Sequence, residues 1–170
     1  MTHGFLKDVL MRKAGAPASL PTLAEIGLNA FVPYLLNRAA AQWNAGLAEA
    51  LASFDLTTPQ VRVLAVLTIN SGLTVNELAV LTVTEQSTMS RTLDGLEEQG
   101  LIRRTARHND LRMRDIALTG LGRERFDTLW PIMFERYTAM FEGVSNTEYQ
   151  ALAAVLHKII GNTSTNREAS

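Results

Sequence analysis

Residues 82–104 read TVTEQSTMSRTLDGLEEQGLIRR, and the fold turns on what this stretch does with its two sides. At 100° per residue, Met89, Leu93 and Leu96 fall on one side of a helix. Ser87, Arg91 and Glu98 lie nearly opposite, with Thr88 and Ser90 on the flanks. A helix that only filled a core would not need a second face carrying hydroxyls and a guanidinium. Gly100 stands where a C′ residue closes a helix in left-handed geometry. The spacing therefore predicts a helix over 85–99, apolar on one side and turned toward something polar on the other.

The neighbouring segments give this helix its setting. DLTTPQVRVLAVLTIN (55–70) starts a helix, because Thr57 and Gln60 have capping-box spacing and Pro59 sits in a first turn that tolerates its missing N–H. SGLTVNELAVL (71–81) repeats the logic with Thr74 and Glu77, giving a short helix that ends near Leu81. After Gly100, LIRRT and RMRDIALT read as two short strands around the turn ARHND. A long helical pattern precedes all of this, from about Leu23 to Phe54, and Pro33 predicts a kink or break within it. GLGRERFDTLWPIMFERYTAMFEGV (120–144) follows as a long amphipathic helix that Pro131 should bend. Ser145 and Glu148 then open a last helix running to Ile160. Residues 1–20 read as an arm, and the tail from 163 onward as disordered.

Composition narrows the classes. The hydrophobic share of 46% is ample for a core in 170 residues. The longest apolar runs, such as VLAVL, are far short of the roughly 20 residues a membrane span needs, and the N-terminus lacks a secretory apolar region. A cytoplasmic protein with no membrane partner is the expectation. The absence of cysteine excludes disulfides and thiolate metal sites. Net charge is −1, which is not what a generic nucleic-acid binder shows. The average conceals a local excess, since Arg103, Arg104, Arg107, Arg112 and Arg114 stand against Asp110 as the one acid between Leu101 and Arg114.

Helix, short helix, tight turn, second helix, β-hairpin is the order of a winged helix-turn-helix. The fold class expected is mainly α with a small β-hairpin wing, joined to a helical dimerisation region. The winged domain is placed at 56–119 and the helical region at 21–55 and 120–162. A helix over 85–99 can lie in a major groove, where base edges differ. Its first half carries Ser87, Thr88, Ser90 and Arg91, while Asp94, Glu97 and Glu98 gather in the second half, where they should point away from phosphates. Entry by the N-terminal end also presents the positive end of the helix dipole. The hairpin can then place an arginine in the flanking minor groove. Asp110, two residues before Arg112, can hold that guanidinium by a charge-assisted bond.

These residues also carry a resemblance. TPQVRVLAVL (58–67) is similar to the helix that enters the helix-turn-helix of the MarR family of bacterial transcriptional regulators. STMSRTLDGLEEQGLIRR (87–104) resembles that family's recognition helix and first wing strand. DLRMRDIALT (110–119) resembles its D-x-R wing tip followed by Leu-Thr, here Asp110, Arg112, Leu118 and Thr119. The turn LTVTEQ departs from the Gly or Leu-Gly-Val that many members show, and the N-terminal arm is longer than in many of them. The resemblance implies Arg112 as the minor-groove arginine, Asp110 as its orienting partner, and Ser87, Thr88, Ser90 and Arg91 as the recognition surface. Arg107 and Arg114 complete the expected DNA-binding set.

One winged domain reads too few base pairs for useful specificity. The helices outside it hold more apolar residues than one small domain needs, so a two-fold homodimer on palindromic double-stranded DNA is expected. The resemblance further implies a small aromatic or phenolic effector, with Arg38, Trp43, Arg62, Trp130 and Met133 as candidate lining residues. Repression is the expected outcome, because a groove-filling dimer can occlude polymerase.

Two rival readings are open to test. His3, His108 and His157 lie far apart in the chain, with no phosphate loop and no nucleophile elbow, so neither an enzyme, a cofactor nor a metal site is expected. A winged helix used as a protein-interaction module is the second rival. Protein interfaces favour aromatic anchors, and residues 84–114 contain none.

Overall fold

The computed structural model describes residues 22–107 and 110–164. The expected N-terminal arm lies outside them. Contacts divide the chain into two compact units, one before Gln42 and one from Gln42 onward. The elements in order are α1 (Leu23–Ile26), a 3-10 turn (Leu28–Ala30), α2 (Val32–Leu51), α3 (Thr58–Ile69), α4 (Val75–Leu81), α5 (Gln86–Glu98), β1 (Ile102–Arg107), β2 (Asp110–Leu118), α6 (Gly120–Met140) and α7 (Asn146–Ser164).

The first unit corrects one expectation. The helical pattern from Leu23 does break, but at Gly27 and the 3-10 turn rather than at Pro33. Gly27 takes φ 75°, which ends α1 after one turn. Pro33 instead falls in the first turn of α2, where no intrahelical N–H is required of it.

In the second unit α3 is the central element and packs against α4, α5, α6 and β2. It begins as its sequence predicts, with Thr57 accepting from the Gln60 N–H and the Gln60 side chain accepting from the Thr57 N–H at 2.8 Å. Thr74 and Glu77 make the same reciprocal cap on α4. Val61, Val63, Leu64 and Leu67 of α3, Leu78 of α4, Met89, Leu93 and Leu96 of α5, Ile102 and Ile116 of the hairpin, and Phe126 and Leu129 of α6 form one buried core. A core of this kind fixes α5 by its apolar side and leaves the other side no choice but solvent.

The end of α5 is a Schellman motif. Leu101 N–H donates to the Leu96 carbonyl and Gly100 N–H to the Glu97 carbonyl, both at 2.9 Å, with Gly100 at φ 70°. Leu96 and Leu101 are both buried, so the cap is also a core contact.

The turn before α5 is held differently. Val83 takes φ 53°, a left-handed conformation that crowds a β-branched side chain. Neighbouring bonds hold it there: Thr84 N–H donates to the Ala79 carbonyl at 2.9 Å and the Thr82 hydroxyl to the Leu78 carbonyl at 2.7 Å. Val83 is 87% exposed, so its side chain gains little from packing. Val83→Gly should therefore raise stability by about 1 kcal/mol, the relief of strain exceeding the extra freedom of glycine in the unfolded chain. A thermal melt rising by about 3 °C is the expected reading, and a fall would mean the valine is not strained.

The wing is longer than the sequence suggests. Ala106 and Arg107 extend β1 and Asp110 and Leu111 extend β2, and residues 108 and 109 between the strands lie outside the described set. The strands are antiparallel, pairing Ile102 with Leu118 through Ala106 with Arg114, and the register shifts before Arg107 pairs with Asp110. At its base the hairpin is tied to the segment before α4, where Ile116 N–H donates to the Leu73 carbonyl at 2.8 Å and Gly72 N–H to the Ile116 carbonyl at 3.1 Å.

α6 contains Pro131 in its interior. Its aromatic residues form a series of ring contacts, Phe126 to Trp130 to Phe134 to Tyr137, which continues through the C-cap Phe141 to Tyr149 of α7. The Tyr137 and Tyr149 hydroxyls lie 2.6 Å apart, and this bond raises the Tyr137 pKa above its ordinary value. α7 opens on the Ser145–Glu148 capping box. Hydrogen bonds from the Ser145 hydroxyl and N–H hold the Glu148 carboxyl below its ordinary range. The helix runs to Ser164, past the expected end at Ile160 and into the tail expected to be disordered from 163. The hydroxyls of Thr163 and Ser164 bond back to the Ile159 and Ile160 carbonyls, which occupies groups that would otherwise draw the chain into a turn.

Candidate nucleic-acid interface

α5 presents two faces of different chemistry. Met89, Thr92, Leu93 and Leu96 are buried, whereas Ser87, Thr88, Ser90 and Arg91 are all exposed. Backbone carbonyls on the helix hold two side chains near them. Arg91 Nε donates to the Ser87 carbonyl at 3.5 Å, and the Thr92 hydroxyl to the Thr88 carbonyl at 2.8 Å. The N-cap residue, Glu85, makes no side-chain cap, unlike the threonines that cap α3, α4 and α6. Its first-turn N–H groups therefore point outward beside the exposed hydroxyls, the arrangement that receives phosphate oxygens in helix-terminus anion sites.

The acidic half of α5 is engaged with the wing. Arg104 reaches from β1 to Asp94 at 2.7 Å and to Glu97 at 3.3 Å, and its backbone N–H also donates to Glu97 at 3.3 Å. Arg104 is 22% exposed while Asp94 and Glu97 are 57% and 41% exposed, so the clamp is open to solvent on its acidic side and positions the hairpin more than it stabilises the fold. Two carboxylates that would repel a phosphate backbone are thereby paired, and the hairpin is fixed against the helix. In the sequence Arg104 stands only as one member of a basic cluster. The opposed charges of Asp94, Glu97 and Arg104 were the available signal, but their meeting depends on the register of β1 against α5.

The other wing arginines divide. Arg103 lies exposed, with a guanidinium N–H donating to the Leu118 carbonyl at 3.4 Å. Arg114 shares the strand face of Ile116, the side from which Arg104 reaches α5, and it is exposed farther toward the tip. The side chains of Arg107, Asp110 and Arg112 lie outside the described residues.

Of the residues expected around an effector, Trp43, Arg62, Trp130 and Met133 of the second unit are not joined to one another by any hydrogen bond, ion pair or ring contact among the described residues. Arg62 donates to Asn44 Oδ1 at 2.6 Å, Trp130 lies between Phe126 and Phe134, and Met133 packs against the core. Trp43 is half-buried, and Arg38, in the first unit, is exposed.

A MarR family model matches residues 54–117, a span that holds α3, α4, α5, β1 and all of β2 but its last residue. A MarR-family transcriptional regulator from Silicibacter pomeroyi superposes with a TM-score of 0.78 at 41% identity, over 84% of this chain and 96% of that one. The chain belongs to the MarR family. An HTH-type transcriptional regulator of Bacillus cereus is 34% identical over 104 residues, 61% of this chain and 69% of the relative. CouR, a transcriptional repressor solved on a 23-mer DNA duplex, superposes at a TM-score of 0.70 and 26% identity, over 84% of this chain and 99% of CouR. The Rhodococcus jostii form of CouR has also been solved with p-coumaroyl-CoA, with a TM-score of 0.71 and 25% identity over 78% and 94% of the two chains. This MarR-family chain is thus a DNA-binding transcriptional regulator with a winged helix-turn-helix. Among its described residues no helix is long and apolar enough to cross a membrane.

Proposed function

We propose that the protein represses transcription by binding a palindromic operator as a homodimer, with α5 of each copy in successive major grooves. The exposed polar face of α5 carries this reading: Ser87, Thr88, Ser90 and Arg91 stand on the one side the core leaves open, at the uncapped end of the helix. Hydroxyls and N–H groups there suit phosphates, and Arg91 suits a guanine edge. Arg107, Arg112 and Arg114 are assigned to the wing's contacts, with Arg112 in the minor groove and Asp110 orienting it. Residues 56–119 then form the DNA-binding domain, and 21–55 with 120–162 the helical region that pairs two copies. CouR's capture with both a duplex and an aromatic thioester supports a small aromatic effector as the signal. Arg38, Trp43, Arg62, Trp130 and Met133 are its proposed contacts. An effector bound more tightly by the DNA-free arrangement would shift the population away from the operator.

A gel-shift titration against the protein's own upstream DNA tests the reading. Binding should weaken steeply with added salt as counterions return to the phosphates. Arg91→Ala and Arg112→Ala should each cost about 1–3 kcal/mol of operator affinity. Unchanged affinity in both variants would remove α5 and the wing from DNA recognition, and leave a protein-interaction module as the better account.

A further inference from the structure

Asn76 lies on α4 and Gln86 is the first helical residue of α5, on opposite sides of the strained turn at Val83. Gln86 Nε2 donates to Asn76 Oδ1 at 2.6 Å, and both side chains are exposed. Such a bond adds little to the fold, because water serves either amide nearly as well and two side chains lose rotamer freedom in making it. Its effect is directional. A glutamine amide has two N–H donors and one acceptor oxygen. Asn76 takes one donor, which leaves one N–H and Oε1 for another partner and restrains the amide from turning.

That remaining pair matches one base. Adenine presents N7 as acceptor and the N6 amino group as donor along its major-groove edge. Gln86 precedes the exposed Ser87 and Thr88 on α5, so its amide lies within the polar end of the helix already assigned to the groove. It also borders an open cleft of about 440 Å³ lined by Ala79, Val80, Val83, Thr84 and Glu85. Val80 and Val83 are 75% and 87% exposed there. Apolar surface beside an adenine reader suits the methyl group of a neighbouring thymine.

We propose that Gln86, oriented by Asn76, reads an adenine in each operator half-site. This rests on the reading of α5 as the major-groove helix. The test is selection of preferred sites from random duplexes by the full-length wild type and by Gln86→Ala and Asn76→Ala. Wild type should select an A·T pair at one position of each half-site. Gln86→Ala should lose preference at that position alone, with about a tenfold fall in affinity, and keep its melting temperature because the side chain is exposed. Asn76→Ala should lose less, at the same position. Replacing that adenine by 7-deazaadenine should weaken wild type by a similar factor and leave Gln86→Ala unaffected.

An unchanged selected sequence in Gln86→Ala, with affinity lowered uniformly, would make Gln86 a phosphate contact and overturn the proposal. Loss of preference at a G·C pair would also overturn it, since that would mean the amide presents two donors to guanine. A wild-type protein that selects no motif would sink the reading of α5 itself, which is a separate and recognisable failure.

Discussion

Gly122→Ala should destabilise the fold by about 3 kcal/mol, toward the upper end of what overpacking causes, and lower the melting temperature by about 8 °C. Gly122 lies in the first turn of α6, where its N–H donates to the Thr119 hydroxyl at 3.0 Å. A Cβ there would overlap the Leu101 carbonyl and press on the Leu118 side chain. Leu101 cannot yield easily. Its carbonyl accepts from Thr119 N–H at 3.1 Å, and its own N–H closes the Schellman motif at the end of α5. The Thr119 hydroxyl meanwhile donates to the Gly100 carbonyl at 2.7 Å. The end of α5, the base of the wing and the start of α6 therefore meet in one knot of backbone. A methyl group can be admitted only by moving α6 away from it. Gly120→Ala is the control, since that position has open space and no left-handed φ. It should be neutral or stabilise by about 0.5 kcal/mol through helix propensity. Equal melting temperatures for the two variants would show that the close approach at Leu101 is not rigid.

That knot shows which parts of the molecule the sequence could disclose. Thr57 with Gln60, Thr74 with Glu77 and Ser145 with Glu148 are legible because a capping box is closed within four residues, and each forms as its spacing predicts. The buried face of α5 is legible for the same reason, since a helical period needs only the local chain. Gly100 is legible because the left-handed C′ position favours glycine. Val83 takes the same conformation without the residue that would announce it, held there by tertiary bonds that no local rule contains. Gly122 looks like any glycine near a helix start, and only the fold brings Leu101 against it. Arg104, Asn76 and Gln86 belong with these, because their partners are chosen by how strand and helix are packed. What the sequence did reveal of the interface is the exposed face of α5. What it hid is the support beneath that face: the clamp on Asp94 and Glu97 and the amide pair across the turn.

Leu152→Asp combined with Val155→Asp should convert the protein to a monomer and reduce operator affinity by more than a hundredfold. α7 is 19 residues long, yet none of them is buried in the isolated chain. Leu152, Val155 and Ile160 are 44%, 50% and 59% exposed. A helix left so uncovered gains little of its stability from burial against the described residues of its own chain. On α6, Trp130, Phe134 and Met140 are also about half exposed, which extends the apolar surface along the aromatic series toward Tyr149. Soluble monomers rarely leave large apolar patches open, and the proposed second copy, related by a two-fold axis, would cover these residues with the same ones from its own side. Two aspartates in that interface would be buried without partners, a penalty of several kcal/mol in each copy. DNA binding would fall with it, because one wing domain on one half-site forfeits the effective concentration that linkage to the second provides. Sedimentation at micromolar concentration reads the first effect and a gel shift the second. The same substitutions leave α5 untouched, so a monomer that kept full operator affinity would separate recognition from dimerisation and leave the apolar face of α7 to another partner.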